Sequence, residues 1–186
     1  MGSNHKAQIA TFAQIGLQGR TPTGIGNCTV LVNGFDEHGY KEELVYQLKD
    51  FIEKINYQGF AEFDMKYDFR DGKYKVLEIN PRQSRSGYYV AACGCNLMEY
   101  LIDDLIYHKN KEFKILKNKY ILSFVPKIVI KKYIKNIPLK KEIIELIKNK
   151  KIVNPLNYKK DNGLKRKLYL MYRNINYIKK YKKYTF

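Results

Sequence analysis

Two carboxylates and one amide, on Asp64, Glu78 and Asn80, supply the oxygen ligands that magnesium prefers, and no His or Cys lies beside them. Lys66 follows Asp64 by two residues, and Arg82 follows Asn80 by two residues. A guanidinium group in such a place suits a phosphate or a carboxylate. These five residues therefore predict a magnesium site that serves a phosphate-bearing ligand.

The chemistry depends on a β-hairpin that must bring these residues together. Polar and apolar residues alternate on both sides of the Asp-Gly dipeptide at 71–72, which is a strong turn signal. Alternation along the first strand puts Asp64 on the face opposite to Phe63 and Met65. One face of the hairpin is therefore expected to be the core side, and the other carries acids.

The register of the hairpin follows from this pattern, because a slip of one residue would move Glu78 to the apolar face. The predicted pairs are Phe63 with Ile79, Met65 with Leu77, Asp64 with Glu78, and Glu62 with Asn80. Facing side chains lie only about 5 Å apart, and facing like charges destabilise a sheet. The pair of Asp64 and Glu78 therefore needs a shared proton, a nearby Lys or Arg, or a divalent cation. A plain surface hairpin with a solvated acidic face is the alternative interpretation.

The run from Phe63 to Lys66, followed by 77–82 (Leu-Glu-Ile-Asn-Pro-Arg), resembles the ATP-grasp superfamily, and within it the carboxylate–amine ligases. The resemblance implies that Asp64, Glu78 and Asn80 hold the magnesium ions that bridge the phosphates of ATP. It implies that Arg82 contacts the transferring phosphate. Lys66 would reach a phosphate or neutralise the acids, and Glu62 is an alternative first acid or a partner of the ligands.

The resemblance also implies a fold and a reaction. The fold is α+β: residues 1–107 would form the C-terminal portion of an ATP-grasp domain, with an antiparallel sheet and packed helices. Residues 108–186 would form a basic, mainly helical extension. ATP would phosphorylate a carboxylate substrate, and an amine substrate would displace the phosphate to form an amide. The lysines and the glycine-rich flap that complete such a cleft are not recognisable, so we expect a fragment that is incomplete and inactive without the rest of the ligase.

A loop at 19–27, rich in Gly and Pro, precedes a predicted strand at 28–32. No helix follows its Gly-x-Gly, so it is a weak phosphate loop. In the resembling ligases a similar loop borders the cleft, which makes Arg20 a candidate contact for the nucleotide or the substrate. An exposed loop arginine without such a role is the alternative.

The net charge of +17 is very uneven. Residues 1–107 carry 11 Lys and Arg against 14 Asp and Glu, whereas residues 108–186 carry 24 against 4. The second hypothesis is therefore a basic module that binds nucleic acid or an anionic membrane, with the rest as scaffold. Lysine-rich solvent faces explain the same charge, and nucleic acid is not the expected partner.

The last predicted helix has apolar residues at steps of four, three, four and three, which are Leu164, Leu168, Met171, Ile175 and Ile178. We call this predicted helix, which runs from Leu164 onward, α6, and we call these five residues the α6 seam. Such a seam packs on its own domain, on another chain or on a membrane surface, and we expect packing on its own domain.

Composition predicts a cytoplasmic protein. The sequence has no apolar run of about 20 residues, and its polar start predicts that no signal peptide is present. The three cysteines form no disulfide framework, which fits a reducing compartment. Self-association is a further expected property, through surface that the rest of a ligase would cover.

Overall fold

A computed structural model describes residues 6–39, 42–158, 160–161 and 163–184 of the chain. Six helices and eight short strands follow one another in these residues. In chain order they are β1 (Ile9–Thr11), β2 (Ala13–Gln18), β3 (Cys28–Asn33), α1 (Glu42–Lys54), β4 (Glu62–Asp68), β5 (Lys73–Asn80), α2 (Tyr88–Ala92), α3 (Leu97–Leu105), β6 (Lys114–Leu116), β7 (Ile121–Ser123), α4 (Lys127–Tyr133), α5 (Ile137–Lys148), β8 (Ile152–Val153) and α6 (Leu164–Tyr184). The coarse prediction of an α+β protein is therefore confirmed.

Contacts divide the chain into two compact units, and each unit combines several stretches of sequence. Unit 1 holds the described residues of 6–10, 42–87 and 96–114, and unit 2 holds those of 11–39, 88–95 and 115–184. The boundary predicted after residue 107 separates two consecutive regions of the chain, which is a different division from these two units. It stays a prediction.

Unit 2 is built on a four-stranded sheet in the order β2-β3-β7-β8. The first three strands are antiparallel neighbours, whereas β8 runs parallel to β7. A parallel neighbour requires a long crossover, and α4 and α5 supply it here. Residues 152–153 lie in the region that is predicted to be a mainly helical extension, so β8 is a strand that the sequence analysis does not predict.

Successive residues of β3 and β7 supply two hydrophobic clusters. Val30, Val32 and Ile121 pack with buried residues of α4, α5 and α6. Leu31 and Leu122 pack in the second cluster. The central strands are thus apolar on both sides, which explains why β3 and β7 consist almost entirely of buried residues.

Unit 1 contains α1, α3 and the hairpin of β4 and β5, which forms its own two-stranded sheet. Acidic residues occupy the first turn of α1, where the helix dipole favours them. The helix ends where Asn56 takes a left-handed conformation, with a φ of 51°. Phe51 of α1 meets Phe63 of β4 edge to face, at a centroid distance of 6.5 Å.

Most elements that the sequence pattern predicts are confirmed, and the short strands β6 and β8 are the exceptions. Sequence patterns predict helices at 40–56, 97–106, 127–136 and from Leu164 onward, and these match α1, α3, α4 and α6 with small differences at their ends, although residues 40 and 41 lie outside the described residues. The lysine-rich composition of 108–119 predicts a linker, and this segment instead contains β6, which pairs with β1. Among the helices that the structure describes, none has the length and apolar character needed to cross a bilayer.

The docking of α6 differs from the prediction. The α6 seam is between 38% and 75% exposed, so its own unit leaves most of it uncovered. Tyr181 is the buried residue of this helix, and Tyr177 packs against the same core cluster. The expected docking face is therefore wrong.

The hydroxyl of Tyr181 fixes the end of α6 to the sheet. It donates to the carbonyl of Gln18 at 2.8 Å and lies 2.6 Å from Oγ1 of Thr29, which itself contacts the carbonyl of Leu17 at 3.0 Å. The hydroxyl groups of Tyr181 and Thr29 have two hydrogens for three short contacts, so one hydrogen is shared between two acceptors. Burial raises the pKa of Tyr181, and the hydrogen bond with Thr29 opposes only part of that effect.

We predict that Tyr181→Phe lowers the free energy of unfolding by about 1–3 kcal/mol, because Gln18 and Thr29 lose a buried partner. The raised pKa also makes wild-type stability fall as pH rises above about 10, since the unfolded chain then loses a proton that the folded protein keeps. The variant should lose this alkaline component. Urea unfolding between pH 7 and 11 measures both effects, and the exposed Tyr172→Phe is the control that should change neither.

Candidate functional site

The hairpin register places the two predicted acids opposite each other. Asp64 pairs with Glu78, Phe63 with Ile79, and Glu62 with Asn80. These three predicted pairs are confirmed. Both acids are exposed, whereas Asn80 is half-buried.

The fourth predicted pair is wrong, because a β-bulge interrupts the ladder directly after the acids. Met65 faces Val76, and Leu77 is the extra residue of β5. Bulges of this kind occur next to active sites, where they change the direction of the side chains that follow. Here the bulge exchanges the two faces of β5 on the turn side of Leu77.

The exchange brings a lysine to the acid face that the sequence analysis did not include. Lys66 pairs with Lys75, where the unbroken alternation predicted Val76. Since facing residues share a face, two lysines directly follow the two acids. Lys75 also forms an ion pair with Asp71 in the turn. The signal was the Val76-Leu77 doublet, which breaks strict alternation.

No lysine or arginine of the described chain lies within ion-pair distance of Asp64 or Glu78. The nearest polar partner is Asn80, whose Nδ2 lies 3.4 Å from Oδ2 of Asp64. A half-turn of that amide would present its oxygen on the same side. The donor set of two carboxylates and an amide therefore fits a hard divalent cation, which has one or two carboxylate ligands in typical magnesium sites.

In the described residues no group of three or more His, Cys, Asp or Glu side chains is close enough to hold a metal. A set of two carboxylates and an amide contains only two residues of these four types, so it does not count as such a group. The types of ligand and the facing positions of the two acids both fit a divalent cation. Water or phosphate oxygens would supply the remaining ligands, as is usual for magnesium.

The loop after β5 folds back toward the start of β4. Oγ of Ser86 donates to Oε1 of Glu62 at 3.3 Å, and it lies 2.7 Å from Oγ of Ser84. Glu62 is thereby held by the loop that carries Arg82, and it takes no direct part in the pair of acids. Arg82 itself is exposed.

Arg20 belongs to unit 2, so it is described apart from the hairpin. It is exposed in the loop that the Gly19 N–H closes by a 2.7 Å bond to the carbonyl of Asn27. A Cβ at Gly19 would lie 2.1 Å from the carbonyl oxygen of Gly24, so only glycine permits this loop shape. The charge of Arg20 is close enough to Tyr181 to act on its pKa.

Comparison with known proteins gives one clear relative. The chain is 35% identical over 190 aligned residues to D-aspartate ligase of Enterococcus faecium, and the alignment covers 97% of this chain. The chain spans 43% of the length of that enzyme. No family model matches the chain, and no solved structure matches it.

We predict that Glu78→Gln stabilises the protein slightly in the absence of metal, by about 0.2–1 kcal/mol, because it removes a facing like charge. Added Mg²⁺ should raise the melting temperature of the wild type and leave that of the variant unchanged. The difference between the two melting temperatures should therefore narrow or change sign. Calorimetric melting with EDTA and with Mg²⁺ measures both. Glu112→Gln, which changes an exposed acid outside the helices and strands, is the control, and a Glu78→Gln variant less stable than wild type in EDTA would contradict the facing-charge argument.

Proposed function

Because the chain is a homologue of part of D-aspartate ligase, an ATP-grasp enzyme, we propose that it contributes the magnesium-binding hairpin of an ATP-dependent carboxylate–amine ligase. The observation that carries the proposal is the pairing of Asp64 with Glu78, with no protein cation between them in the described residues. Homology supplies the reaction class, and the hairpin supplies the chemistry for one part of it.

Asp64, Glu78 and Asn80 are the proposed magnesium ligands. The two acids face each other, and Asn80 contacts Asp64 across the strands. A bound cation would remove the repulsion that the register imposes on the acids. When bound, magnesium neutralises charge on the β- and γ-phosphates of ATP during phosphoryl transfer. Glu62 is proposed to orient the loop after β5 through Ser86, not to bind the metal.

The cations around the acids are the proposed phosphate contacts. Lys66 and Lys75 pair directly beyond the acids, where a phosphate chain bound to the metal would meet their charges. Arg82 is exposed at the other end of the acid face and is proposed to contact the transferring phosphoryl group. Arg20 is a separate candidate for a phosphate or substrate carboxylate.

The proposed reaction joins a carboxylate substrate to an amine substrate. ATP phosphorylates the carboxylate, and the nitrogen of the amine then attacks the acyl carbon and displaces phosphate, which leaves an amide. The residues of this chain hold and neutralise the phosphates, which is the positioning and electrostatic part of such catalysis. The name of the relative, D-aspartate ligase, describes the reaction of that enzyme. In this proposal the substrates of the ligase to which this chain belongs are of the same class.

The apolar side of the hairpin is proposed to contact the remainder of a ligase. Val76, Leu77 and Ile79 are exposed, with Leu77 at 68%, although the sequence analysis expected this side to be the core. A two-stranded sheet is marginally stable without further cover. This exposure and the 43% coverage of the relative support the proposal that the chain by itself is incomplete and inactive.

We also propose a cytoplasmic location. None of the three cysteines forms a disulfide, and Cys93 and Cys95 are buried. Burial raises the pKa of the Cys93 thiol, a change that keeps it protonated and unreactive. The absence of disulfides among these cysteines fits a reducing compartment.

The test of the metal site uses Mn²⁺ as a paramagnetic substitute for Mg²⁺. In ¹H–¹⁵N NMR spectra of the chain, Mn²⁺ should broaden the signals of 62–66 and 76–82, and added Mg²⁺ should restore them. Asp64→Asn and Glu78→Gln should each weaken Mn²⁺ binding about tenfold or more, because one carboxylate is lost from a site with two.

The control for this test is Glu43→Gln, which removes the same charge from an exposed position of α1. It should leave the broadening unchanged. Broadening spread over all acidic residues, or unaffected by both hairpin variants, would contradict the proposed site. Calorimetric titration with Mg-ATP then asks whether nucleotide binding depends on Glu78 and Lys75.

A further inference from the structure

The α6 seam forms an exposed apolar stripe along most of a 21-residue helix. Its five residues recur at the spacing of one helix face. Leu170, Tyr177 and Tyr181 lie on a different side, which is turned toward the rest of unit 2. The stripe is thus left uncovered by the unit that carries it.

A groove continues the stripe on one side. It has a volume of about 490 Å³, is open to solvent, and is lined by α6 and by residues of the preceding segment, which are Leu156, Asn157, Tyr158 and Asp161. The carboxylate of Asp161 forms an ion pair with Arg166 of α6. Met171, Ile175 and Ile178 belong both to the seam and to the wall of the groove. The apolar surface is therefore wider than one row of side chains.

Charge is the second feature of this surface. The helix carries eight Lys and Arg residues and no Asp or Glu. At 100° per residue, Lys167 lies beside one edge of the seam, Lys165, Lys179 and Lys183 lie beside the other, and Lys182 continues the line of the seam at its C-terminal end. Long lysine side chains can extend from such positions past an apolar stripe while keeping their charges in water.

The apolar stripe and the lysines beside it together decide which of the possible partners fits this surface. A second copy would bring another helix with eight cations and no acids against the first, and like charges would then oppose each other along the contact. A nucleic acid would satisfy the lysines but would leave five aliphatic side chains without a partner. An anionic lipid surface satisfies both features, because its interior takes apolar side chains and its headgroups attract cations.

We propose that α6 is an interfacial helix that binds the protein to membranes containing anionic lipid, with the seam inserted among the lipids and the flanking lysines at the headgroups. Tyr172 is exposed beside the seam and suits the boundary between the lipid tails and the headgroups. The proposal does not rest on the ligase function, because the hairpin and α6 belong to different units.

Vesicle flotation of the whole chain tests the proposal. Vesicles of phosphatidylcholine with 30% phosphatidylglycerol (about that fraction is typical of an anionic surface) should bind the protein, and vesicles of phosphatidylcholine alone should bind it far less. Leu168→Gln with Ile175→Gln should reduce binding about tenfold or more, because two inserted side chains are lost. Lys165→Gln with Lys179→Gln should reduce it by a similar factor.

Matched controls separate this surface from general adsorption of a basic protein. Ile25→Gln with Ile137→Gln changes two exposed isoleucines of unit 2 outside α6, and Lys54→Gln with Lys73→Gln removes two exposed lysines of unit 1. Both controls should keep at least half of the binding. Circular dichroism should show unchanged helix content in every variant.

Three results would overturn the proposal. The first is vesicle binding that the seam variant retains, since charge alone would then explain it. The second is a dimer in sedimentation that the seam variant dissociates, without vesicle binding. The third is salt-sensitive binding to duplex DNA in the absence of vesicle binding, which would identify a nucleic acid as the occupant.

Discussion

The repulsion between Asp64 and Glu78 is the constraint on which the candidate site depends. Their positions are fixed by main-chain pairing, because a slip of the register by one residue would move one of the acids to the apolar face of the hairpin. The hairpin therefore holds two like charges close together at some cost in stability. A structure that needed only a stable hairpin would gain from an amide or a lysine at either position. The cost is understandable if a cation binds there.

The bulge after the acids belongs to the same arrangement. Without it, Lys66 would face Val76, and the acid face would continue into an apolar one. With it, Lys66 faces Lys75, so a negative pair is followed by a positive pair on one side of the sheet. A metal bound to phosphate is itself a positive group next to negative groups. The order of charges along the hairpin is complementary to such a ligand, and Leu77 is the residue whose insertion produces it.

Sequence patterns predicted the parts of the fold that local interactions determine. The pairing of Asp64 with Glu78 follows from alternation near a strong turn signal, and the helices follow from their periodic apolar residues and caps. The bulge at Leu77 was not predicted, because alternation assumes one residue against one. The parallel pairing of β8 was not predicted either, since a strand of two residues has no pattern and its position depends on distant parts of the chain.

The docking of α6 shows a different limit of sequence patterns. Two faces of this helix repeat at similar spacing, and one is aliphatic whereas the other contains Arg173, Tyr177 and Tyr181. Hydrophobicity alone favours the aliphatic face for the core. The structure uses the tyrosine face, where Tyr181 reaches the carbonyl of Gln18 and the hydroxyl of Thr29. A buried hydroxyl with suitable partners thus determines the orientation, and this information lies in the sheet and not in the helix.

The exposed hairpin and the exposed seam have different physical requirements, although both are apolar surfaces. The apolar side of the hairpin is short and belongs to a strand pair that gains stability from a covering surface of matching shape. The α6 seam is long, straight and bordered by lysines, and its helix is already anchored through Tyr181. A protein surface of matching shape can cover the apolar side of the hairpin, whereas a fluid anionic lipid surface can accommodate the seam and its lysines. One chain can therefore meet the remainder of a ligase through the hairpin and a membrane through α6.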